Sequence, residues 1–147
     1  MPNFVAIFCE DIREEVGGSH TIVGVMPDNI NVQSPANQTG GALFFPKMAF
    51  YLRINLEVDH EPNGTISARV SIPGLADLAL GELGEDVIQQ AFSDSRRSRL
   101  PFVGVIFKSV AQGVSLNQSG QAIVYASIEG REHICGAMNI SVTTAPQ

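Results

Sequence analysis

The sequence predicts an all-β protein: a single antiparallel β-sandwich domain over residues 1–147, of about eight or nine strands, with at most one short helix near 85–92. Three observations predict it. Apolar and polar residues alternate with a period of two through the longest patterned stretches, as in strands that lay one face on a core. The 14 Gly and 8 Pro are spread along the whole chain, so turns recur throughout and no linker divides it. Hydrophobic residues make up 44% of the chain and charged residues 16%, with a mean hydropathy of +0.13, which excludes a disordered chain and a coiled coil.

Taken in order, Phe4 to Cys9 is almost wholly apolar and reads as a strand buried on both faces. The acidic stretch Glu10 to Glu15 and Gly17-Gly18 lead into a second strand, Thr21 to Met26, stopped by Pro27. Asn29 to Val32 is a further short strand, and residues 33–42 form a surface loop. Phe50 to Val58 carries the cleanest alternation: Phe50, Leu52, Ile54, Leu56 and Val58 face one way, and Tyr51, Arg53, Asn55 and Glu57 the other. Asn63-Gly64 is a strong turn signal, and Thr65 to Ile72 alternates again, so residues 49–72 are predicted to be an antiparallel hairpin.

The stretch Gly74 to Leu100 is the least regular. Within it Val87, Ile88, Ala91 and Phe92 are spaced as one helical face behind Glu85-Asp86, which favours a helix N-terminus. Ser93 to Arg99 reads as a solvated loop. Val103 to Phe107 is another buried strand. A second hairpin closes the chain, Ala122 to Ile128 returning as His133 to Val142 through Glu129–Glu132. Ile134, Met138, Ile140 and Val142 then share the core face, and Gly136 marks a bulge or a close backbone approach.

The segment Cys9-Glu10-Asp11-Ile12-Arg13-Glu14-Glu15-Val16-Gly17-Gly18, followed by Ile22 to Val25, resembles the start of a bacterial domain family of unknown function. That family opens with an apolar strand, a Cys-acid-acid-x-Arg-Glu-Glu loop and a strand ending apolar-Gly-apolar. The lead Phe45 to Ala49 and the closing hairpin from Gly120 are similar too; Ser19-His20 departs from the lysine common after the glycines. The resemblance implies the sandwich and assigns no activity.

Function classes narrow by exclusion. Nine Lys+Arg against fifteen Asp+Glu give a net charge of -6, which counts against nucleic acid, whose binders carry a basic surface. No apolar run reaches the roughly 18 residues of a membrane helix, and the first residues lack the basic segment of a signal peptide, so no membrane partner is expected and the cytoplasm is the default compartment. Cys9 and Cys135 are expected as free thiols, a disulfide between them being the alternative if the first and last strands adjoin.

The candidate site residues are few. Asp11, Glu14 and Asp28 are calcium candidates, weighed against solvated acids organised by Arg13, since no EF-hand spacing occurs. His20, His60 and His133, isolated in sequence, show no zinc spacing. No nucleophile elbow or phosphate-binding loop is found, so an enzyme, of hydrolase type, ranks third and no cofactor is expected. Arg96 and Arg97 form the basic cluster suited to an acidic group, and Tyr51 is the outward ring suited to a sugar. With Arg13, Glu14 and Asp28 these make up the ligand-binding candidates. The leading expectation is a non-catalytic interaction or structural module of bacterial or phage origin, able to form homo-oligomers through a sheet edge; a small-ligand or carbohydrate module is the alternative. The segment Glu10 to Gly18 is expected to be structured, with Arg13 hydrogen-bonded and Gly17 or Gly18 at positive φ.

Overall fold

In the computed structural model, which describes residues 2–34 and 43–144, ten strands and one helix follow in the order β1 (Asn3–Cys9), β2 (Asp11–Glu14), β3 (His20–Val23), β4 (Asn29–Ser34), β5 (Leu43–Glu57), β6 (Ile66–Ser71), β7 (Leu78–Leu83), α1 (Glu85–Arg97), β8 (Phe102–Leu116), β9 (Gly120–Ile128) and β10 (Arg131–Thr144). A three-stranded sheet, β1-β5-β8, faces a five-stranded sheet, β4-β10-β9-β6-β7; β2 and β3 form a separate two-stranded ribbon. The fold is all-β, as the alternation predicts. Leu52, Ile54, Val105 and Phe107 from the first sheet and Ile66, Val70, Val124, Met138 and Ile140 from the second make one continuous core. The five-stranded sheet is mixed, because β4 runs parallel to β10 in the register Asn29↔Asn139.

Residues 49–72 are not a hairpin. β5 pairs with β1 and β8, whereas β6 pairs with β9 and β7 in the opposite sheet. The alternation specifies which face of each strand is buried, and that requirement is met equally by strands lying side by side and by strands facing across a core. The stretch 58–65 is therefore a sheet-to-sheet crossover, turned by Gly64 at φ +83.

Other expectations are corrected by what covers each sheet. The outer face of the three-stranded sheet meets solvent along much of its length, so β8 and the first part of β1 are buried on one face only: Val5 is 43% exposed, and Phe102 and Ile106 also reach solvent, whereas Phe8 and Cys9 at the end of β1 are both buried. In the closing hairpin the register shifts between Ile134 and Gly136, so Cys135 is the extra residue of a bulge. The shift turns Ile134 outward while Met138 and Ile140 stay in the core. Gly136 is required there, since a Cβ on it would lie 2.7 Å from that of Ala6. Gln33 and Ser34 end β4 rather than beginning a loop; the rest of that expected loop, 35–42, lies outside the described residues.

The irregular stretch contains β7, and the helix runs five residues further than its apolar face indicates, through Arg97. Glu85 and Asp86 sit in its first turn and Arg96 and Arg97 in its last, complementing the helix dipole at both ends. Arg99 at φ +57 ends it, with Leu100 N–H bonded to Ser95 O and Arg99 N–H to Arg96 O. Because β7 ends opposite Ile66 and β8 begins opposite Glu57, the two residues flanking the crossover, α1 closes that end of the sandwich, where Ile88 and Phe92 are buried.

Candidate functional site

The outer face of the three-stranded sheet is the most distinctive surface. On β8, Val103, Val105 and Phe107 point into the core, so Phe102, Gly104, Ile106, Lys108 and Val110 point out. Phe102 is 53% exposed, and Ile106 and Val110 are each 40% exposed, on a strand whose second edge has no partner among the described residues. Across the sheet these residues continue in rows: Val5–Arg53–Ile106, and Ile7–Tyr51–Lys108. Arg53 donates from Nε to Asn55 Oδ1 at 3.0 Å, and its guanidinium lies against Gly104, filling the space a side chain there would need.

The ribbon β2–β3 folds over one end of this face. Glu10 N–H bonds to Val23 O, closing the base of the ribbon, and Met26 N–H bonds to Phe8 O, tying the chain that leaves β3 to β1. Lys108 Nζ donates to Glu14 and lies 2.9 Å from His20 Nε2, while the His20 ring meets Tyr51 edge-on at 6.2 Å. The Lys108 ammonium holds the Glu14 carboxyl below its usual range, first through the hydrogen bond and then through charge attraction. Under the ribbon, Cys9 and Ala49 are fully buried. Beyond Glu14 the tip stands clear: Val16 is wholly exposed, and Gly17 and Gly18, at φ +90 and +83, have open space around them.

The acidic segment is thus structured, with both glycines at positive φ as expected, but Arg13 does not organise it. Its nearest carboxylate is Asp11 at 3.9 Å, and its side chain is 66% exposed. The backbone ladder Asp11↔Val23 to Glu14↔His20, a Thr21–Glu15 hydrogen bond of 2.9 Å and the Lys108 contacts fix the ribbon instead.

The remaining candidates do not converge. Asp11 and Glu14 project from opposite faces of β2, each beside a lysine, Lys47 and Lys108, and the Asp28 side chain is exposed elsewhere. Among the described residues no group of three or more His, Cys, Asp or Glu could hold a metal, so the calcium candidates are not assembled into a site, nor are His20, His60, His133 and the cysteines. Arg96 contacts Val58 O at 3.3 Å and Glu61 at 3.6 Å, and Arg97 lies near Asp94 of its own helix; they belong to the last turn of α1 rather than to a loop. Tyr51 is half-buried beneath the ribbon. Tyr125, on β9, lies under Arg69, whose guanidinium is 4.2 Å from the ring centroid and pairs with Asp77 and Glu132.

Both cysteines are free. Burial pushes the Cys9 and Cys135 thiols up to about 11, which keeps them protonated and poorly nucleophilic at neutral pH. One hollow of about 400 Å³ lies at the crossover end, lined by Leu56, Ile128, His60, His133, Glu129 and Arg131 among others.

Phe102, Ile106, Lys108 and Val110 escape sequence reasoning because Val103 to Phe107 reads as one buried run. The signal was the lysine at 108 and the glycine at 104 in the even-numbered set, which mark a face meeting solvent. The fold and this surface define an all-β protein in which β8 carries an exposed apolar stripe and has a free edge among the described residues. No family model matches the chain, and no curated protein matches it.

Proposed function

We propose that the chain is a non-catalytic interaction or structural module, bacterial or phage-borne as its opening motif suggests, which engages another protein through the open edge and outer face of β8. The carrying observation is the stripe Phe102–Ile106–Val110, exposed on a 15-residue edge strand. Such an edge presents unpaired N–H and C=O groups, and native proteins normally blunt it with charge, proline or a bulge. Here the single charge on the stripe, Lys108, is turned toward Glu14 and His20 of the ribbon. A strand supplied by another chain, a second copy included, would extend the sheet, with the side chains of the stripe setting specificity. Free thiols fit a reducing compartment such as the cytoplasm.

A photoreactive residue at position 106 tests the reading. It should trap a protein chain in cells, whereas the same probe at position 97 should trap none; no adduct at 106 would remove the reading. A small-ligand module is the second reading, favoured by the hollow beside His60, His133 and Arg131.

A further inference from the structure

We infer that the occupant of the β8 edge is a second copy of this chain, paired β8 to β8 antiparallel about a two-fold axis at Ile106; this rests on the interaction-module reading above. The reason is the symmetry of the stripe itself. Phe102, Gly104, Ile106, Lys108 and Val110 all point to the outer face, and the two apolar ends lie four residues either side of Ile106. A two-fold interface presents one patch to itself, so a self-complementary patch must read the same in both directions. About Ile106 it does: Phe102 faces the partner's Val110, Ile106 faces the partner's Ile106, and Val110 faces the partner's Phe102.

Charge selects the same register. Centred on Ile106, Lys108 faces the partner's Gly104, so no cation opposes a cation. Centred on Lys108, the two lysines would face each other, and like charges directly opposite in a sheet are destabilising. Centred on Val105 or Phe107, Lys108 would oppose Phe102 or Ile106 and the apolar match would be lost. Pairing an even-numbered residue with an odd-numbered one would set an outward face against a core face.

Two features of the fold leave this edge accessible. The helix α1 closes the end of the sandwich where β8 begins rather than running along the strand. The ribbon crosses the outer face toward Lys108, and its tip, with the wholly exposed Val16, continues past the contact at Glu14. The proposed pair forms a continuous six-stranded outer sheet, β1-β5-β8 joined to its two-fold mate.

Sedimentation of the full chain across a concentration series should give a species of twice 15.7 kDa. Ile106→Lys should return it to the monomer with an unchanged far-ultraviolet circular dichroism spectrum. In a Cys135→Ser background, Ile106→Cys should be joined to its mate by a short bifunctional thiol reagent. Val110→Cys alone should not be joined, and Phe102→Cys with Val110→Cys should. If Ile106→Lys fails to fold, the cross-linking pattern decides. A wild-type chain that stays monomeric overturns the second copy, while an adduct of the position-106 photoprobe with a different protein would keep the module reading. A dimer abolished by Ile106→Lys but cross-linked at other positions overturns the two-fold register. A dimer indifferent to Ile106→Lys overturns both.

Discussion

Arg13 shows how a residue's chemistry alone misleads about its role. Four acids and one base within six residues suggest an organising guanidinium, yet a strand sends successive side chains to opposite faces, and Arg13 points to solvent. Arg13→Ala is therefore expected to change stability by no more than about 0.5 kcal/mol in urea melts, the range for an exposed ion pair. The cysteines behave oppositely, since their surroundings set their chemistry. Both thiols are raised from an ordinary value of 9.0 to about 11, so the folded chain holds these protons longer than the unfolded chain does. That contribution to stability is complete below about pH 9 and is lost as pH rises toward 11. Denaturant midpoints should fall across that interval for the wild type and fall less for a Cys9→Ala, Cys135→Ala variant. At pH 8 a thiol reagent should modify half-buried Cys135 before fully buried Cys9.

Among elements, β10 carries the most information that pattern cannot supply. Its single-residue bulge at Cys135 reverses the phase of the strand, which sends Ile134 outward and sets Gly136 against Ala6 of β1. Gly136→Ala is expected to cost about 1–3 kcal/mol in urea unfolding, because both Cβ atoms would claim one space between the sheets. Gly130→Ala serves as the contrast, strained by its φ of +70 but meeting nothing within 4 Å. The helix was legible in part. Ile88 and Phe92, one turn apart, marked its buried face correctly, while its last turn, polar and basic, offered no apolar period and had to be seen. Strand β7 was illegible for a related reason: six residues with a glycine at 81 and a register shift in its pairing with β6 give no sustained alternation.

For the whole molecule, the pairings join distant parts of the chain: Asn3 with Asn55, Asn29 with Asn139, and Ile66 with Ile128. Loop closure must precede such contacts, so refolding is expected on the millisecond-to-second scale of sandwiches, which stopped-flow fluorescence or circular dichroism would read. A submillisecond main phase would contradict that topology. The sequence by itself determined the class: its period of two, its dispersed turns and its apolar content leave an all-β chain with a short helix, and they identify the buried face of β5 and β6. It also located the closing hairpin and the glycines of the ribbon turn. Only the tertiary structure decided that β5 and β6 lie in different sheets, that β4 runs parallel to β10, and that β8 is an edge with an exposed stripe. Alternation is a statement about burial, which each strand meets alone, whereas pairing and edge position are relations between strands far apart in the chain, fixed by how the two sheets fill one core.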